Sequence, residues 1–257
     1  MRKRMRFFGG IFVFIIALSL VTLGSANAVD MNDMHGMMAD MKDMHGMTAD
    51  MDMHHMHIMM SHGLSMVTEG SNLVMLADMK MAPSLDQLTM EHGRHMMANG
   101  KEMIEQMMRG PEMKNLHMAG HGSDPLMKYT HELGNAMLEY VDILESMGMQ
   151  GEMSDNMMTM HHMHILINHA LDMAVEGSNL VMLGRMDMAK GVDKESVEHG
   201  EMMISGGSKL LTEVMGGTAM KEMHGRGVKM NNSMMAYTHK LGAAAQKVVD
   251  LLSGMPK

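Results

Sequence analysis

The stretch "HHMHIMMSHGLSMVTEGSNLVML", His54 to Leu76, decides the reading of this chain, because it returns almost unchanged as "HHMHILINHALDMAVEGSNLVML" from His161 to Leu183. Met59 and Met60 become Leu166 and Ile167 in the second version, while every histidine keeps its place. Between 54–82 and 161–189, at an offset of 107, 19 of 29 positions are identical. The match continues through "EHG" (91–93 and 198–200), Met113-Lys114 against Met220-Lys221, and His117 against His224. After a one-residue slip it resumes at "YTHELG" (129–134) against "YTHKLG" (237–242). A match this long and this ordered is an internal duplication.

Each copy reads as helices. In 53–82 a stripe in steps of four and three runs through His55, Met59, His62, Met66, Glu69, Leu73 and Leu76, the pattern of a face turned to bundle neighbours. A second helix, Asp86 to Met108, carries Leu88, His92, Met96, Asn99 and Met103 on one side, with Pro83 and Gly110-Pro111 punctuating its ends. A short Met113–His117 segment and a "GHGSDP" loop precede a third helix from about Leu126. Its seam is Tyr129, Leu133, Ala136, Tyr140, Ile143 and Met147, answered in the second copy by Tyr237, Leu241, Ala244, Val248, Leu251 and Met255. No segment alternates with period two for the length of a strand. The fold class expected is all-α: tandem duplicated helical-bundle repeats of about three main helices each, 53–149 and 150–257, standing as two bundles or joined in one larger pseudo-symmetric bundle. Glycines at 63, 70, 93 and 100 weaken these helices by roughly 1 kcal/mol each relative to alanine, and they permit close helix approach.

Ahead of the repeats stand two other segments. "MRKRMR", the apolar run that follows it and Ala26-Asn27-Ala28 read as a signal peptide, residues 1–28. The mature chain is then an exported protein, periplasmic or secreted, with no membrane span. Residues 29–52 are low-complexity, with "DMHGMMADMK" (33–42) followed at once by "DMHGMTADMD" (43–52). They read as a flexible Met/His-rich tail. Removing residues 1–28 takes away four basic residues and no acid, so the formal charge falls from -9 to -13. An acidic surface argues against nucleic acid and is compatible with attracting cations.

The chain has 48 Met and 18 His, and no Cys or Trp. Many of these methionines are plastic core. The duplication sorts them: Met59, Met60, Met90, Met97, Met103 and Met107 face branched or leucyl hydrophobes in the other copy, so those positions serve packing. Met56, Met66, Met75, Met79, Met81, Met96, Met108 and Met113 are Met in both copies. His131 and His239, beside their tyrosines, read as hydrogen-bonded core histidines. His62, Met66 and Glu69 stand at i, i+4 and i+7, and His169, Met173 and Glu176 reproduce the set. His92 with Met96, and His199 with Met203, repeat the spacing on the neighbouring helix. An imidazole and a carboxylate on a buried seam each carry a desolvation cost unless paired or bound. The candidate metal ligands are therefore these ten residues, the histidines of the two "MHHMH" clusters (His54, His55 and His57; His161, His162 and His164), and Met34, His35, Met37, Met44, His45 and Met47 in the tail.

Thioether with imidazole is soft-to-borderline chemistry, which favours Cu(I), with Ag(I) as its mimic, and allows Cu(II) at the histidine-dense "MHHMH". Thioethers form no disulfides and remain ligands in an oxidising compartment. No "HExxH" motif, paired Glu-x-x-His, nucleophile–base pair, phosphate loop or dinucleotide fingerprint occurs, so the chain reads as a non-enzyme.

The signal peptide, the "DMHGMMADMK" units and the "HHMH" clusters resemble the methionine- and histidine-rich copper-handling proteins of bacterial periplasms. That resemblance implies a protein that sequesters, stores or delivers copper, with a copper exporter or oxidase as the delivery partner. The rival reading is a sacrificial antioxidant whose methionines cycle through the sulfoxide, a role with no use for 18 His. A module using Met as adaptable contact surface ranks last.

Overall fold

The computed structural model describes residues 31–80, 83–146, 155–186, 191–225 and 233–256. Side chains are described throughout these except at 31–50, 155–156, 223 and 233–234. The described residues are all-α. Six long helices, α1 (Met31–Asp78), α2 (Asp86–Arg109), α4 (Pro125–Glu145), α5 (Asp155–Arg185), α6 (Asp193–Gly216) and α8 (Ser233–Ser253), are joined by two short ones, α3 (Pro111–Met118) and α7 (Thr218–Gly225). The signal segment expected at 1–28 lies outside the described residues. The stretch 31–50, expected as a flexible tail, has helical backbone. Its composition allows this, since Met, Ala, Lys and Asp outnumber the two breakers, Gly36 and Gly46. The side chains of Met34, His35, Met37, Met44, His45 and Met47 lie outside the described residues.

Local chemistry sets the helix ends. Gly110 is extended and Pro111 occupies the first turn of α3, so α2 stops and α3 starts afresh. Gly120, at φ 93°, turns the chain into a single 3-10 turn, His121–Ser123. Asp124 then caps α4, its carboxylate accepting from the Leu126 backbone N–H at 3.0 Å, with Pro125 at the first helical position. α2 and α6 are each 24 residues long, α3 and α7 each 8, and α4 and α8 each 21.

Residues Met44–Lys257 make one compact unit. A single apolar core runs through it, from Met60, Leu64 and Val67 of α1 through Tyr140 and Leu144 of α4 to Ile167 and Leu171 of α5 and Val248 of α8. α5 packs on α6 and α8, α8 also on α4 and α6, and α2 on α4. No described helix is long and apolar enough to cross a membrane.

The expected close approach at the glycines is present. A Cβ on Gly63 would lie 2.7 Å from the Gly100 carbonyl oxygen, and one on Gly93 would lie 2.5 Å from that of Gly70. α1 and α2 therefore cross antiparallel, backbone on backbone. Gly177 against Gly200, and Ala170 against Gly207, do the same for α5 and α6. This contact overturns the seam expected for α1. The buried line is Met53, Met56, His57, Met60, Leu64, Val67, Ser71, Val74 and Met75. His55, His62, Glu69 and Leu76 of the expected seam are exposed, and Met59, Met66 and Leu73 only half-buried. On α2 the buried line is likewise Gly93, Met97, Gly100, Ile104 and Met108, while Leu88, His92 and Asn99 are exposed. Methionine on every side of α1 blurs its hydrophobic stripe, and the glycines choose the face.

A polar layer joins α1, α4 and α5. The Tyr140 hydroxyl donates to the Asn168 side-chain oxygen, and the Asn168 amide donates to Asn72 at 2.7 Å. The Thr68 hydroxyl lies 2.8 Å from the Ser65 carbonyl and 2.6 Å from the Asp172 carboxyl. The Thr68 hydroxyl donates to the Asp172 carboxyl and is shared with the Ser65 carbonyl. Burial, reinforced by Glu69 and Glu176 against the opposing side-chain hydrogen bonds from Thr68 and Ser65, pushes the Asp172 carboxyl up to about 7.

Two outcomes follow. Because the folded state holds the Asp172 proton more tightly than the unfolded chain, its contribution is full below about pH 4 and is lost as pH rises through about 7. Asp172→Asn, which removes the buried charge and keeps a side-chain oxygen to accept from Thr68, should therefore stabilise the protein above pH 7 by about 1–3 kcal/mol, with the gain vanishing near pH 4 in thermal melts across pH. Gly100→Ala places a Cβ 2.3 Å from the Gly63 oxygen. It should cost about 2–4 kcal/mol despite the better helix propensity of alanine, whereas Gly216→Ala, with nothing described within 4 Å, should be neutral in the same melts.

Candidate thioether and imidazole site

The residues singled out from sequence separate into three environments. His62, Glu69, His92, His169, Glu176 and His199 are exposed, and Met66, Met96, Met173 and Met203 are half-buried beside them. These sets border the solvent side of the α1–α2 and α5–α6 contacts, so the desolvation argument that drew attention to them does not hold. His55 and His162 are exposed as well, and His54 is half-buried. His57, His161 and His164 are fully buried. Among the described residues no three His, Asp or Glu side chains group as a metal site.

Methionine side chains do come together. Met53 and Met56 of α1, Met113 of α3 and Met127 of α4 form a small buried cluster with Leu116. None of the four methionines is more than 2% exposed. Four buried methionines in one satellite cluster are an unusual way to fill space, since leucine and isoleucine specify packing better. The residues 107 or 108 positions further on, Met160, Met163, Met220 and Met235, are again all methionine and all buried. Met56 and Met113 are legible in sequence as methionines common to both copies. Met53 and Met127 were missed because they fall just outside the aligned blocks, though Met160 and Met235 answer them.

His57 stands one turn along α1 from Met53. Its Nε2 lies 2.6 Å from the Thr130 hydroxyl oxygen, three residues along α4 from Met127, and its ring meets Tyr129 edge-on at 5.4 Å. The Thr130 hydroxyl spends its proton on the Leu126 carbonyl, 2.7 Å away. His57 must therefore donate from Nε2, which leaves its Nδ1 a bare lone pair. That Nδ1 is buried and has no hydrogen-bond partner among the described residues. His164 is placed alike, with Nε2 2.7 Å from the Thr238 hydroxyl, its ring 5.1 Å from Tyr237, and a buried, unpartnered Nδ1 among the described residues. Burial, aided by the neighbouring His54, lowers His57 to about 4, and burial with His161 lowers His164 to about 3. Both imidazoles are thus neutral at physiological pH, the form that ligates a metal. His161 differs from its offset partner His54: its Nε2 lies 3.0 Å from the Asp78 carboxylate.

Two further imidazole pairs lie at the surface. His117 of α3 and His131 of α4 face each other with Nε2 atoms 3.0 Å apart, and His224 of α7 and His239 of α8 do so at 3.3 Å. His131 and His239 are thus not the core histidines expected from their tyrosine neighbours. Burial and the adjacent His117 lower His131 below the ordinary histidine value.

The donor set suits a soft cation: methionines with a neutral imidazole whose buried Nδ1 is unpartnered, and, among the described residues, no thiol or carboxylate cluster. Comparison of the chain with protein-family models, with curated proteins and with solved structures finds no match.

The buried histidines set the acid limit of the fold. Their folded values lie below the unfolded value of 6.5, so their contribution is complete above pH 6.5 and is lost as pH falls toward 4. In urea unfolding between pH 4 and 8, His57→Gln with His164→Gln, which retains a donor to each threonine, should flatten that loss by up to about 3 kcal/mol per site.

Proposed function

We propose that this is an exported copper-binding protein that takes up Cu(I), and Ag(I) as its mimic, as cargo for sequestration, storage or delivery. The observation that carries the reading is the buried set Met53, Met56, Met113 and Met127, with the unpartnered Nδ1 of His57 one turn along α1 from Met53. Thioether sulfur and neutral imidazole are the ligands Cu(I) prefers, and neither is consumed in an oxidising compartment as a thiol would be. Met160, Met163, Met220 and Met235 with His164 would supply a second set. We read the chain as a tandem duplication, 53–149 and 150–257, with three main helices in each copy and one such set per copy. The exposed candidates, His62 with Met66 and His169 with Met173 among them, and the tail methionines would hold copper in passing at the surface. Delivery to a membrane exporter or an oxidase fits this arrangement, and nothing in the site suggests catalysis.

Burial of the clustered thioethers works against an oxidant sink, which needs sulfur open to solvent. Exposed methionines such as Met118 and Met202, 79% and 64% accessible, are where that rival would have to act.

Anaerobic titration with Cu(I) against a competing chelator tests the proposal. Met53→Leu with Met127→Leu, close to volume-conserving, should weaken one class of site at least tenfold while helix content is unchanged. Met60→Leu, a core methionine outside the set, should leave affinity as it is. Copper retention no greater than that of an ordinary methionine-containing protein, or indifference to the double substitution, would refute the assignment.

A further inference from the structure

The imidazole pairs at the surface call for a separate account. His117 and His131 come from different helices, as do His224 and His239, and in both pairs it is Nε2 that faces Nε2. The rings lie 5.2 Å apart at 30° in the first pair and 5.3 Å apart at 37° in the second. A Cβ on Gly122 would sit 3.0 Å from the His117 Nδ1, so glycine in the 3-10 turn leaves room for that ring beside it. A hydrogen bond between two neutral imidazoles would account for one such distance. Exposed hydrogen bonds add little to stability, however, so packing gives no reason for two metal-binding nitrogens to face each other in this way.

The separations have a second meaning. Two imidazole nitrogens bound to one ion at about 2.0–2.1 Å, at angles of about 90–110°, lie about 2.9–3.4 Å apart. Both pairs, at 3.0 and 3.3 Å, already have that bite. Position adds to the case. His117 follows Met113 by four residues on α3, and His131 follows Met127 by four on α4, so the exposed His117 and the half-buried His131 each stand one turn from a buried methionine. His224 after Met220, and His239 after Met235, repeat the spacing on α7 and α8.

We infer that the pairs His117/His131 and His224/His239 are surface capture sites, each holding one borderline divalent cation between facing Nε2 atoms, with Cu(II) bound most tightly. The order follows from imidazole chemistry, in which Cu(II) exceeds Zn(II) and Ni(II). Each ion would tether a short helix to the long helix beside it. The inference does not depend on the thioether reading, because Cu(II) is a poor ligand partner for methionine and the two sets take different ions.

Aerobic equilibrium dialysis of the full chain with CuCl2 is the test, on wild type, His117→Gln, His131→Gln and the double variant, with the His224 and His239 substitutions in parallel. Either single variant should lose one equivalent of Cu(II), and the double variant no more than either single, because one ion needs both nitrogens. An unchanged stoichiometry, or losses that add residue by residue, would overturn the inference. Nitrogen NMR of wild-type imidazoles during ZnCl2 titration gives a reading free of any folding defect. The Nε2 signals of the four histidines should move together within each pair, and resonances that stay put would equally sink it. A chain that fails here but retains Cu(I) anaerobically rejects the surface sites alone, and the converse result rejects only the thioether proposal.

Discussion

The backbone contact between α1 and α2 governs the rest of the structure. With glycine at 63, 70, 93 and 100 the two helices touch through their main chains, and that contact fixes the rotation of α1 about its own axis. One choice of rotation sends Met53, Met56 and His57 inward and leaves His62, Met66 and Glu69 at the solvent edge. Helices crossing through side-chain ridges keep 8–10 Å between axes; glycine removes that spacing and with it the freedom to turn. α5 and α6 settle the same question at Gly177, Gly200 and Gly207.

Much of the fold was legible before any coordinates. The α2 and α4 boundaries follow from Pro83, Gly110-Pro111 and Asp124-Pro125, and the seam of α8 through Leu241, Ala244 and Val248 is buried as its periodicity requires. α1 failed for a specific reason. Methionine supplies moderate hydrophobicity at Met51, Met53, Met56, Met59, Met60 and Met66 alike, so no single stripe stands out in the sequence. The glycine spacing carried the missing information, and it was weighed as helix weakness before it was weighed as an interface. The surface pairs were half visible: His117 and His224 appear in the internal match, but His131 and His239 read as core because each neighbours a tyrosine. Which imidazole meets which is a tertiary fact, set by how α3 folds back on α4. Asp172 could not have been foreseen, since the position answering it is Ser65 and only packing puts its carboxyl against Thr68.

The Thr130–His57 bond and the Thr68–Asp172 bond both involve a hydroxyl that also reaches a backbone carbonyl. At Thr68 the hydroxyl is shared between the Ser65 carbonyl and the Asp172 carboxyl. At Thr130 the hydroxyl proton goes to a backbone carbonyl, so His57 is the donor and meets that demand as a neutral imidazole with Nε2 protonated. Helix backbone thus dictates protonation at His57, and the orphaned Nδ1 is what that dictation leaves over.

The eight-residue α3 has a kinetic consequence. It lies between Gly110 and Gly120 and commits only Met113 and Leu116 to the interior. Peeling it away exposes two apolar side chains, a cost of about 3–6 kcal/mol, and leaves the six long helices in place. Sub-global opening of this kind takes far less than unfolding the bundle, so exchange at the corner it covers is set by the hold on two residues and is decoupled from the stability of the protein as a whole.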